Sequence, residues 1–249
     1  VKPSTKEASE VVLFLSDLHF PFHDEELVAS AVRFAKRAKP HRIVLNGDVN
    51  DFFQLSRFNT GMERLDDLQG EIDQGNAFRA ALRRAAPDAR IDETTGNHDD
   101  RLLTYVQNNA RALTSLRALE PDRLLMSREL GIRRHDGAGF RLRKGFLVRH
   151  GTLVRKHQGF SARAELESAG ISGVSGHTHR LGIFRQAGYG HAQWAEGGCF
   201  CSLNPDYVIG VPNWTQGCVI GQFSTKSDAF LLEEVQARGG KLVYGGKDF

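Results

Sequence analysis

The side chains best suited to chemistry fall in five short blocks: Asp17-Leu18-His19, Gly47-Asp48-Val49-Asn50-Asp51, Gly96-Asn97-His98-Asp99, His150-Gly151 and Gly176-His177-Thr178-His179. Each sets carboxylate, imidazole or amide-oxygen donors beside a glycine or another turn-forming position. No thiolate is among them, a donor set that suits Mn²⁺, Fe, Zn²⁺, Ni²⁺ or Co²⁺ better than Cu⁺. Divalent metals held by such donors activate water at neutral pH and neutralise developing negative charge. A lone Asp-x-His or Gly-Asp arises by chance, whereas five blocks in this order are specific. Four of them follow runs that read as strands: Val11 to Ser16, Arg42 to Asn46, Phe146 to Arg149, and Ile171 to Ser175. Loops beyond strand ends form the ligand crevice of open α/β sheets, so donors distant in sequence can converge.

The blocks read D-x-H, G-D-x-x-D, G-N-H-D, a lone H, and G-H-x-H, and over Val11 to Arg180 this order resembles the calcineurin-like metallophosphoesterase family. The resemblance implies a two-sheet β-sandwich flanked by helices, of α/β class, and hydrolysis of a phosphate ester by metal-activated hydroxide in an in-line attack. It implies two divalent ions, with Mn²⁺ favoured and Fe, Zn²⁺, Ni²⁺ or Co²⁺ as rivals. Asp48 would bridge them; Asp17, His19 and His179 would complete the first site, and Asn97, His150 and His177 the second. His98 matches the family's general acid, which assists the leaving oxygen. An imidazole suits that task because a nearby carboxylate can keep it protonated near neutral pH. Asp51 is the candidate orienting carboxylate, with Asp99 and Asp100 as competitors.

Departures narrow the branch. Serine/threonine protein phosphatases of the family carry Arg before G-N-H-E and Arg-Gly after G-D-x-V-D, whereas this chain has Thr95 and Phe52-Phe53 there. The chain looks more like the bacterial or phage-borne phosphodiesterases and nucleases. Phosphomonoester hydrolysis, a partner-dependent DNA nuclease and a non-catalytic scaffold are the alternatives, and the complete ligand set argues against the last.

Around the blocks stand residues with two readings. Arg101 could clamp a substrate phosphate bidentately or pair with Asp99 or Asp100. His157 could touch the same phosphate, or be surface. His23 suits a cap or solvent, and His41, His135 and His191 carry no chemistry. Tyr207 and Trp214 could stack on a base or pack in the core. Nine basic residues between Arg128 and Lys156, against Glu129 and Asp136, could attract a polyanion such as nucleic acid, or could be a solvated hairpin.

The elements that must position these groups follow from periodicity. Val11 to Leu15 is apolar throughout, as for a strand covered on both faces. Asp24 caps a predicted helix to about Lys39 that Pro40 stops, and Arg42 to Asn46 returns as a parallel strand. Glu63 to Ala86 reads as a long exposed helix, Arg90 to Thr94 as a third strand, and Asp99 to about Leu125 as helix broken near Pro121. Residues 131–150 turn to short strands, Gly159 to Gly170 to a helix, and the chain from Leu181 onward to antiparallel strands of a second sheet. Residues 1–9 form a tail, and the 249 residues make one domain.

With 40% hydrophobic and 25% charged residues the chain is ordinary for a soluble globular protein. A net charge of +3 does not demand a nucleic-acid partner. No apolar run reaches 18 residues, so no transmembrane helix and no membrane partner are expected. Cys199, Cys201 and Cys218 build no disulfide framework and suit a reducing, cytoplasmic compartment as buried apolar residues.

Overall fold

Strand β1 (Ser9–Leu15) is apolar without alternation because its two faces enter different cores. Leu13 and Leu15 meet helices, while Val12 and Phe14 meet a second sheet. The computed structural model describes residues 9–56, 67–188, 191–204 and 212–249. Of the predicted tail, residues 1–8 lie outside that description, and Ser9 already pairs with Ser224.

Helix α1 (Glu25–Ala38) begins where the Asp24 carboxylate accepts the Leu27 backbone N–H at 3.0 Å, and it ends at left-handed Lys39 before Pro40. Strands β2 (Arg42–Asn46) and β3 (Arg90–Thr94) are parallel to β1. Between them, helix α2 (Leu68–Ala85) is capped by Asp67; the predicted start at Glu63 lies outside the described residues. Helix α3 (Asp100–Asn109) is shorter than expected. The Asn109 side chain turns back onto the Tyr105 carbonyl, a local bond that competes with helix continuation. Two 3₁₀ turns follow, and Pro121 opens helix α4 (Pro121–Leu124), at the first turn where its missing N–H costs nothing.

Strand β4 (Ile132–His135) extends the parallel set, and β5 (Phe140–Arg143) and β6 (Phe146–Val148) start a second sheet. Helix α5 (Phe160–Ala169), β7 (Ser172–Ser175), β8 (Leu181–Arg185) and β9 (Gln193–Gly197) complete it in the order β5-β6-β7-β9-β8. The last strands, β10 (Gly217–Ser224), β11 (Phe230–Arg238), β12 (Lys241–Tyr244) and β13 (Lys247–Asp248), correct the expectation of a shared second sheet. They return to the first sheet, where β10 pairs antiparallel with β1 and gives the order β13-β12-β11-β10-β1-β2-β3-β4. Satisfying the backbone edge of β1, buried from Val12 to Leu15, is the physical reason.

Four layers result. Phe34, Phe78 and Leu82 of α1 and α2 pack on the outer face of the first sheet, Phe146, Val174 and Phe223 fill the space between sheets, and α5 covers Trp194 on the far side. Among the described residues no helix is long and apolar enough to cross a membrane.

Helix α2 is not the exposed helix its charges suggest. Arg79 is fully buried, donating to both Glu93 carboxylate oxygens at 2.8 Å and to Asn50 Oδ1 at 3.0 Å, and Arg134 reaches the same Glu93 at 2.5 Å. Glu71 accepts the Phe52 N–H at 2.6 Å, and its burial, with the charge of Asp51 nearby, pushes its pKa up to about 8. Both therefore brace the loop that follows β2.

Two outcomes follow. Arg79→Met leaves the buried Glu93 carboxylate with Arg134 alone and should cost about 3–5 kcal/mol in urea unfolding; an unchanged midpoint would refute the brace. Because the Glu71 pKa is raised from 4.5 to about 8, its contribution to stability is complete below pH 4.5 and is lost as pH rises through about 8. Glu71→Gln should flatten the decline in unfolding free energy between about pH 5 and pH 8.5, and parallel profiles for both proteins would rule this out.

Candidate metal centre

All five blocks sit at the C-terminal ends of β1, β2, β3, β6 and β7, and the backbone there is bent hard. Asp17, His19, Asp48, His177 and His179 have φ between 52° and 70°, in the left-handed region. A non-glycine residue held there costs on the order of 1–3 kcal/mol, and such strain gathers at functional sites. Gly47 takes φ 85°, and a Cβ on Gly96 would collide with the Asp48 carboxylate. What these glycines make room for is the ligands' own approach to one another.

The seven expected ligands come together. Asp17 Oδ1 lies 3.2 Å from His179 Nε2 and 3.8 Å from His19 Nε2; Asp48 Oδ2 lies 3.1 Å from His150 Nε2 and 3.8 Å from His19 Nε2. Asn97 Oδ1 is 2.8 Å from His177 Nδ1. Asp17, His19 and His179 form one group whose donor atoms lie within 4.8 Å of one another, and Asp48, His150 and His177 form another. The first group is buried, whereas His177 is half-buried and Asn97 exposed, so the second opens to solvent.

A metal-binding imidazole normally has its other nitrogen fixed by an outer partner. That pattern is present three times. Nδ1 of His19 faces Asp51 Oδ2 at 2.8 Å, Nδ1 of His150 faces the Asn46 carbonyl at 2.8 Å, and Nδ1 of His179 faces Cys201 Sγ at 3.5 Å. In each case Nε2 points inward, and His150 Nε2, though 3.1 Å from Asp48 Oδ2, makes no well-aligned hydrogen bond among the described residues. The donor set fits divalent cations.

Electrostatics agree. Burial pushes Asp17, Asp48 and Asp51 up, but the facing histidines prevail and hold all three well below the usual carboxylate range. Burial pulls His150 down, yet Asp48 and Asp17 outweigh it and hold the imidazole up to about 10; for His179, Asp17 foremost raises it to about 9. Buried carboxylates that demand this much positive charge can take it from protons or from metal, so metal binding here would release protons.

His98 stands at the solvent side of the cluster. Its backbone N–H donates to Asp48 Oδ1 at 2.8 Å, and its Nδ1 is 3.1 Å from the Asp51 carbonyl and 3.2 Å from Asp51 Oδ2. Arg101 differs from the alternative pairing: it binds Asp51, at 2.9 Å to the carbonyl and 3.1 Å to Oδ1, and its Nη2 faces His98 Nε2 at 3.2 Å. Asp99 has another role than orienting His98. Its Oδ2 accepts the backbone N–H groups of both Asp48 and Gly96 at 2.8 Å, tying two ligand loops together.

Other expectations separate. His157 is exposed and edges onto Phe160, and among the described residues it makes no contact with the cluster. Trp214 leans on the His179 ring at 4.4 Å, while Tyr207 lies outside the described residues. The basic segment divides: Arg134 pairs with buried Glu93 and Arg149 with buried Glu165, whereas Arg128, Arg133, Arg141, Lys144, Arg155 and Lys156 are exposed. The three cysteines are buried and unbridged as expected, but Cys199 and Cys201 also neighbour His179, a partner invisible from sequence distance.

No protein-family model matches the chain. The Gene 54 protein of Mycobacterium phage D29 is 26% identical over 258 residues, covering 96% of this chain and 98% of that protein. The Gene 54 protein of Mycobacterium phage L5 is 25% identical, with the same coverage. The structure of Vacuolar Protein Sorting 29 from Cryptosporidium parvum aligns over 97% of this chain and 98% of its own, at 14% identity and a TM-score of 0.52. Two stacked sheets between flanking helices, matched nearly end to end in that structure, give this chain the fold of the calcineurin-like metallophosphoesterases.

Proposed function

We propose that the chain is a dinuclear-metal-dependent phosphohydrolase and that its substrate is a phosphodiester. The observation that carries this reading is the convergence of two donor groups with inward Nε2 atoms on Asp17 and Asp48. Asp17, His19, Asp48 and His179 would hold one ion, and Asp48, Asn97, His150 and His177 the other. Two such ions supply an activated water and charge neutralisation for in-line displacement.

The chain's own groups do the rest. Asp51 fixes His98 through Nδ1 and so leaves Nε2 as the atom that gives a proton to the leaving oxygen. A guanidinium only donates, so the Nε2 facing Arg101 is the unprotonated nitrogen in this arrangement. Arg101 turning onto the substrate phosphate would free Nε2 for its proton. Beside Asn97 and Arg101 lies a cavity of about 540 Å³, walled by Leu55, Thr104, Tyr105 and Asn108. Apart from Arg101 and the carboxylate of Asp100, its walls are amide, hydroxyl, phenol and aliphatic, which suits the second ester arm of a diester better than the extra charge of a monoester. A reducing, cytoplasmic setting accords with three unbridged cysteines.

Metal-stripped protein reloaded with Mn²⁺ should hydrolyse an aryl phosphodiester in preference to the matching monoester. A monoester preference would make it a phosphatase, and no turnover of either with two ions bound would overturn the enzymatic reading. Asp48→Asn should lose bound metal by elemental analysis along with turnover. His98→Asn should keep its metal while kcat falls about 10²–10⁴-fold, and full activity would remove His98 from the acid role.

A further inference from the structure

The segment Cys199-Phe200-Cys201, just past β9, has no task in the reading so far. Cys199 and Cys201 each make an isolated β-bridge, to Gln216 and to His23. The chain is therefore extended there, and residues two apart in an extended segment share a face. That face meets His179. Cys201 Sγ lies 3.5 Å from His179 Nδ1, and one donor atom each from Cys199, Cys201 and His179 lie within 4.8 Å of one another. Both thiols are wholly buried, and Phe200 anchors the segment by donating its N–H to the Asp17 carbonyl at 3.0 Å.

Three features of this group point to a metal ion. The first is spacing. Zinc bonds thiolate at about 2.3 Å and imidazole at about 2.0–2.1 Å, so a tetrahedral ion sets sulfur and nitrogen about 3.5 Å apart. The Cys201–His179 separation of 3.5 Å is that edge. The Thr215 carbonyl, 3.8 Å from Cys199 Sγ, stands near the sulfur–oxygen edge of the same tetrahedron, about 3.6 Å. The second is charge: two thiolates cancel a divalent ion, so the complex needs no counter-charge in the dry interior. The third is softness, because thiolates favour zinc over the harder Mn²⁺. A hydrogen bond to His179 explains the Cys201 contact alone and gives no reason for a second thiol on the same face.

We propose that Cys199, Cys201 and His179 Nδ1 hold one Zn²⁺ ion in a site of their own beside the hard-donor cluster. Binding displaces both thiol protons and the proton on Nδ1. Nε2 of His179 still faces Asp17 at 3.2 Å, so a single ring joins this ion to the neighbouring ligands. Ions of different softness then sort between the two places, zinc to the sulfur side and a harder divalent ion to the carboxylate side.

The test is a Co²⁺ titration of the reduced full-length chain, read by absorption. Cobalt bound to thiolate gives a sulfur-to-metal charge-transfer band in the near ultraviolet, and the hard-donor cluster contains no sulfur, so the band reports this site alone. Wild type should show the band and lose it when Zn²⁺ is added. Cys199→Ser and Cys201→Ser should each lose it, while Cys218→Ser and Asp48→Asn keep it. X-ray absorption of the zinc-loaded wild type should show sulfur neighbours at about 2.3 Å, a result that depends on no variant folding. A cobalt-loaded wild type without the band, a band that survives in Cys201→Ser, or zinc without sulfur neighbours would each overturn the proposal.

Discussion

Three carboxylates, Asp17, Asp48 and Asp51, lie buried at one end of the molecule, and positive charge must be brought to them. Burial alone would drive them to the neutral form. Imidazoles of His19, His150 and His179 prevent that at distances of 2.8 to 3.2 Å. The rest of the fold can be read as the scaffold that this concentration of charge requires. Left-handed backbone at five ligand positions is the local strain it accepts, and the apolar layers on both faces of β1 and β2 hold the strand ends in place.

Behind the ligands runs a second set of buried charges with a different task. Arg79 joins Glu93 on β3 to Asn50 in the loop after β2, and Arg42 joins Asp92 to the same sheet at 2.8 Å. Asp99 ties the β2 and β3 loops through backbone amides. Paired buried charges add little net stability over an apolar core, but each needs its partner in place. Here they relate loops that carry ligands, so geometry rather than gross stability is what they secure.

The two ends of the sandwich contrast physically. At the C-terminal ends of the parallel strands, donors face each other closely and are matched in charge. At the other end, Arg143, Lys144 and Arg185 line a cavity beside the exposed Asp228. The first arrangement suits small, highly charged ions.

Much of the architecture was legible in residue order. β2 and β3 cover the ranges expected from the sequence, Asp24 caps α1, and Gly159 and Gly170 bound α5. Such features depend on neighbours within a turn or a strand, which is why local pattern specifies them. Donor types at strand ends likewise mark the cluster in the sequence. Only tertiary structure decided which sheet receives β10 to β13, that Arg79 and Glu71 turn inward, that Arg101 binds Asp51 and His98, and that Cys201 meets His179. Those outcomes rest on contacts between residues brought together by chain reversal, where a charged side chain is buried or exposed according to whether a partner from a distant strand arrives beside it.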